Sequence, residues 1–120
     1  MIIEKDFTFD SAHFLPNTPP GHKCGRLHGH TYCITLGIKG SLEKNTDWVM
    51  DFAEIKKIVN PLIDSLDHRL LNEIPGLENP TAEVISIYIY NQLVTQLNTL
   101  EYVRVQETPT ARSIYYGENK

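Results

Sequence analysis

The 120-residue chain is 41% hydrophobic and 22% charged, with a formal net charge of −4. That length suits one domain over residues 1–120, able to bury roughly two-thirds of its unfolded surface without disulfides or a structural metal. The acidic balance and scattered basic residues argue against a nucleic-acid partner, and no apolar run approaches the ~20 residues of a membrane span.

Met1 to Asp6 lacks the basic and apolar regions of a signal peptide. Two cysteines, Cys24 and Cys33, make no disulfide framework. The expected compartment is the reducing cytoplasm, where a thiol beside histidines reads as chemistry before it reads as a bridge.

Residues 2–14 read as a strand, with Phe7, Phe9 and His13 on one parity and Thr8 and Asp10 on the other. Leu15 to Gly21 is turn-rich. From His28 a long strand begins, in which His28, His30, Tyr32, Ile34, Leu36 and Ile38 share one face and Cys33 takes the opposite one. Asp51-Phe52-Ala53-Glu54 has the form of a capping box. Phe52, Ile55, Val59, Leu62 and Leu66 then give a helical stripe that Pro61 should kink or divide. Asp67-His68 falls at or just past that helix.

A second helix is expected to open at Asn79-Pro80, with Pro80 in its first position and Ile85, Tyr88, Ile89, Gln92, Leu93 and Leu97 on its apolar face. Val103, Val105 and Glu107 alternate in a third strand. A Pro109-containing turn leads to a fourth at Ser113 to Tyr116. Runs of strands and runs of helices predict an α+β fold, an antiparallel sheet with both helices on one face. The other face is then uncovered, which favours oligomerisation through the sheet.

The densest chemistry lies in residues 22–30, where three of five histidines and Cys24 fall within nine residues. Strand neighbours two apart point the same way about 6.6 Å apart, so His28 and His30 can converge on one ion. His13, on the matching parity of the neighbouring strand, is a third candidate ligand. Cys24 leaves two possibilities: a closed Cys-His₃ structural zinc site, or an open three-histidine site with the thiol free as base or nucleophile. Lys23 and Arg26 stand close enough in sequence to favour a thiolate. Asp67-His68 reads as a helix cap or as a catalytic pair. Glu107 reads as an edge residue or as an anchor for a polar ligand.

Phe7-Thr8-Phe9-Asp10-Ser11-Ala12-His13, Cys24-Gly25-Arg26-Leu27-His28-Gly29-His30, Asp51-Phe52, Leu66-Asp67-His68, Glu78-Asn79-Pro80-Thr81-Ala82-Glu83 and Gln106-Glu107-Thr108 occur in that order. Together they resemble the 6-pyruvoyltetrahydropterin synthase family over nearly the whole chain. The Cys-x-x-x-His-Gly-His form is most similar to the bacterial branch, the 6-carboxytetrahydropterin synthases of queuosine biosynthesis. The resemblance implies a ββααββ tunnelling fold whose sheets close into barrels within a homo-oligomer, a hexamer.

It also implies zinc on His13, His28 and His30, a catalytic thiol at Cys24, and a relay at His68 with Asp67 behind it. Glu107 becomes the carboxylate that grips the pterin ring, and Thr81 a substrate-binding residue. The implied substrate is 7,8-dihydroneopterin triphosphate. The implied product is 6-carboxy-5,6,7,8-tetrahydropterin, with acetaldehyde and triphosphate released. The sister reaction, giving 6-pyruvoyltetrahydropterin, is the nearest alternative. A zinc-stabilised oligomeric module without catalysis is an alternative of another class. The resemblance assigns no role to Arg112.

Overall fold

A computed structural model of the chain describes residues 1–118. The elements run β1 (Ile2–His13), β2 (His28–Lys39), α1 (Phe52–Leu66), α2 (Ala82–Leu93), β3 (Leu100–Thr108) and β4 (Ala111–Tyr115). The four strands form one antiparallel sheet in the order β1-β2-β3-β4. This is the α+β, ββααββ arrangement expected from the sequence.

Period-two alternation builds its inner face. Phe7 and Phe9 in β1, Tyr32, Ile34, Leu36 and Ile38 in β2, and Val103 and Val105 in β3 are buried. They form one cluster with Ile55, Val59, Ile63 and Leu66 of α1 and Ile85, Ile89 and Leu93 of α2. The opposite face presents Asp6, Thr8, Asp10, Thr31, Arg112 and Ile114, all exposed.

The helices differ from expectation in detail. Helix α1 runs unbroken through Pro61. A proline inside a helix costs ~3 kcal/mol. Burying Ile55, Val59, Ile63 and Leu66, at ~1.5–3 kcal/mol each, outweighs that. The buried stripe therefore starts at Ile55, and Phe52 is half exposed one turn earlier. Asp51 caps the helix by accepting from the Ala53 N–H at 2.9 Å.

Helix α2 begins at Ala82 and not at Pro80, because the Thr81 hydroxyl is the cap and accepts from the Val84 N–H at 3.1 Å. Pro80 stays outside, with its carbonyl engaged elsewhere. Gln92 is exposed, whereas Leu97 is buried beyond the helix end.

Candidate active site

The β1–β2 register places His13 opposite His28 and Ser11 opposite His30. All three histidines extend the inner apolar row past Phe9 and Tyr32, and one ring nitrogen from each lies within 4.8 Å of the others. The His13 Nδ1–H donates to the Pro80 carbonyl at 2.8 Å, and the His28 Nδ1–H to the Arg26 carbonyl at 2.6 Å. A carbonyl only accepts, so both rings carry their proton on Nδ1 and turn a bare Nε2 lone pair inward.

Those two Nε2 atoms are 3.0 Å apart. Two lone pairs facing at that distance repel unless a cation lies between them. The third, His30 Nε2, is buried without a hydrogen-bond partner among the described residues. A proton is a poor occupant here. Burial pushes the His13 pKa down, against the raising effects of the Pro80 bond and Glu107, and burial likewise lowers His30. Three imidazoles, two of them oriented by backbone carbonyls, suit a divalent metal, and they leave a fourth tetrahedral position unused.

The cluster opens into a cavity of about 410 Å³ that Cys24, Lys23, Glu107 and Thr108 also line. Cys24 belongs to a short turn, Lys23–Gly25, in which His22 Nδ1 accepts from the Cys24 N–H at 3.0 Å. The Leu15 N–H donates to the Cys24 carbonyl at 2.8 Å and ties the loop to the end of β1. The thiol is half-buried and stands outside the compact group of ring nitrogens. Glu107 arrives from β3, with Oε1 3.5 Å from His13 Nε2 and 3.7 Å from His30 Nε2.

Beneath the histidines lies Tyr32, fully buried, its ring centroid 5.9 Å from that of His13 and 5.5 Å from that of His30. Its hydroxyl has no hydrogen-bond partner among the described residues. Burial first, then the Glu107 charge, pushes its pKa up and keeps the phenol protonated. In the sequence Tyr32 reads as one more residue of an apolar row. The carbonyls of Pro80 and Arg26, which orient two of the rings, give no sequence signal at all.

Asp67 and His68 lie elsewhere. Asp67 caps the C-terminus of α1 and its Oδ2 accepts from His68 Nδ1 at 2.8 Å. The Asp10 N–H donates to Asp67 Oδ1 at 2.9 Å, while the His68 N–H donates to the Asp10 carbonyl at 2.6 Å. These bonds hold His68 at φ 55°, a left-handed conformation that costs a non-glycine residue about 1 kcal/mol or more. Asp67 is held down chiefly by the Asp10 N–H and then by His68, and His68 is raised by the Asp67 bond and charge. The His68 side chain is 78% exposed and borders a second depression with Asp10, Thr31 and Arg69. It does not line the histidine cavity, and neither does Thr81, whose hydroxyl is committed to its cap.

The sequence pattern of the family described as 6-pyruvoyl tetrahydropterin synthase matches residues 2–118. The chain belongs to that enzyme family. Its fold is the family's tunnelling fold. The solved 6-pyruvoyl tetrahydropterin synthase of Caenorhabditis elegans superposes with a TM-score of 0.90 at 25% identity, covering 98% of this chain and 96% of that one. The chain is 38% identical over 122 residues to the 6-carboxy-5,6,7,8-tetrahydropterin synthase of Synechocystis sp., covering 97% of this chain and 93% of the relative. It is 36% identical over 131 residues to the 6-pyruvoyl tetrahydrobiopterin synthase of Dictyostelium discoideum, at 98% and 97% coverage. Among the described residues no helix is long and apolar enough to cross a membrane.

Proposed function

We propose that the protein is a zinc-dependent lyase of queuosine biosynthesis, acting in the cytoplasm. It converts 7,8-dihydroneopterin triphosphate into 6-carboxy-5,6,7,8-tetrahydropterin, with release of acetaldehyde and triphosphate. One observation carries this reading: three histidine nitrogens, a thiol and a carboxylate face one cavity. It is supported by family membership and by the name of the Synechocystis relative.

His13, His28 and His30 would hold the zinc, which supplies a Lewis acid for the hydroxyls of the substrate side chain. Cys24, outside the ligand group, is then available to move protons at the adjacent carbons. Glu107 accepts hydrogen bonds from the pterin ring and orients it. Thr81 lies outside this cavity within one chain, so its substrate contact, like the His68 relay, would be made to the site of a second copy.

His68, poised by Asp67, acts as a relay for the thiol. Within one chain it borders a different depression from Cys24. The relay therefore needs a second copy of the chain, which fits the uncovered outer sheet face and a homo-oligomer, in this reading a hexamer. Each copy acts as one domain.

The Dictyostelium relative favours a second reading, the synthase that keeps the side-chain carbons as a pyruvoyl group. Incubation of the zinc-loaded protein with 7,8-dihydroneopterin triphosphate, followed by mass spectrometry of the pterin, separates the two. The expected product is the 6-carboxylate together with acetaldehyde. A pyruvoyl product, or no turnover, would overturn the assignment.

A further inference from the structure

Glu107 has a ring-binding role in the proposed function, yet its carboxylate points at the histidines. Its Oε1 is 3.5 Å from His13 Nε2 and 3.7 Å from His30 Nε2. Donor atoms of a tetrahedral site with bonds of about 2.0–2.2 Å stand about 3.3–3.5 Å apart. The Glu107 separations, and the 3.0 Å between His13 and His28, match the edges of such a polyhedron to within a few tenths of an ångström.

A hydrogen bond does not account for the approach. His13 donates its only proton from Nδ1 to Pro80, so the lone pair of its Nε2 faces a carboxylate oxygen. Acceptor against acceptor is stable only around a cation. A carboxylate ligand also balances part of the charge of a dication in a half-buried site otherwise built from neutral rings.

We propose that in the substrate-free protein Glu107 is the fourth ligand of the metal held by His13, His28 and His30. The pterin ring draws the carboxylate away and so opens the position that a substrate hydroxyl takes. The carboxylate stands outside the 4.8 Å group that unites the three histidines, so ligation includes a side-chain rotation toward His28. At 24% side-chain exposure, Glu107 has room for it. The ligand assignment stands on this geometry alone. The exchange rests on the pterin reading above, because gripping the ring takes both carboxylate oxygens and the ring then competes with the metal.

The test compares the full-length protein with Glu107→Gln, which keeps the side chain's shape. Chelator competition should show zinc bound at least ~10-fold more weakly by the variant. In the cobalt-substituted proteins, imidazole, a neutral probe indifferent to the lost charge, should bind at least ~10-fold more tightly to Glu107→Gln, read from the visible spectrum. A dihydropterin lacking the C6 side chain should raise imidazole affinity in the wild type alone. Unchanged zinc affinity with equal imidazole affinity would overturn the ligand assignment whatever the reaction. A dihydropterin that binds without altering imidazole access would overturn the exchange. No dihydropterin binding by the wild type would overturn the exchange and the proposed function together, leaving the ligation to stand or fall on the first two measurements.

Discussion

Replacing His28 by alanine separates the energy of the metal cluster from that of the fold. His28 is half-buried at the start of β2, and the carbonyl its ring engages, that of Arg26, is exposed and can turn to water. Little packing is lost. In the metal-free protein the change also removes one of two lone pairs that face each other at 3.0 Å. Metal-free His28→Ala should therefore lie within ~0.5 kcal/mol of the wild type, or above it.

With zinc at 100 times its dissociation constant, the wild type gains ~2.7 kcal/mol. At ~2.1 cal/mol/K per residue, 120 residues give an unfolding entropy of about 0.25 kcal/mol/K, so the melting temperature rises by about 11 °C. Loss of a ligand weakens binding by at least ~100-fold, which at the same zinc concentration leaves ~0.4 kcal/mol, or about 2 °C. Scanning calorimetry on metal-free and zinc-loaded samples measures all four states. A zinc-induced rise in His28→Ala equal to that of the wild type would remove His28 from the site. A metal-free variant that melts many degrees lower would show that the ring serves the fold.

Cys24→Ala should keep near-stoichiometric zinc and its melting temperature while turnover falls by ~10²–10⁴, and zinc loss in that variant would make the thiol a ligand. His13 and His30 are depressed in the native state, so the unfolded chain holds more protons just below pH 6.5. The His13 and His30 contribution to metal-free stability should be level above pH 6.5 and fall as pH drops through the lowered native values, whereas His68, raised by Asp67, acts in the opposite sense; urea midpoints of a His68→Ala variant that stay constant down to pH 5 would refute the burial argument. Sedimentation should give several times the chain mass, and a clean monomer at micromolar concentration would leave His68 without a route to Cys24.

The strands and the convergence of three histidines were legible because one rule governs both. Alternation puts Phe7, Phe9 and His13 on one face of β1 and His28, His30, Tyr32, Ile34, Leu36 and Ile38 on one face of β2, and the core claims most of that face. The helix details were not legible, since whether Pro61 ends α1 depends on what four side chains of the same helix gain by burial against the core. The positions of Asp67 and His68 depend on Asp10, 57 residues away in sequence, which clamps both. No local pattern encodes that contact. Tyr32 shows the same limit from the other side: parity tells which way the ring points, and nothing about what its hydroxyl meets.

The core therefore sets the geometry of the histidine cluster through strand register. A slip of one residue between β1 and β2 would turn His28 and His30 away from His13. What forbids the slip is the burial of Phe7, Phe9, Tyr32, Ile34, Leu36 and Ile38, with Phe9 stacked directly across from Tyr32 at 5.0 Å. The histidines are thus positioned before any ion arrives, and binding carries little ordering cost. The thiol is positioned differently: it rides on a loop tied to β1 by the Leu15–Cys24 backbone bond. Substitutions that loosen the inner row should act on metal affinity, whereas changes in residues 15–25 should act on turnover with the metal still bound. A large-to-small change at Phe9 that spared zinc affinity would break this division, because it would mean that the ligands hold their places without the register beneath them.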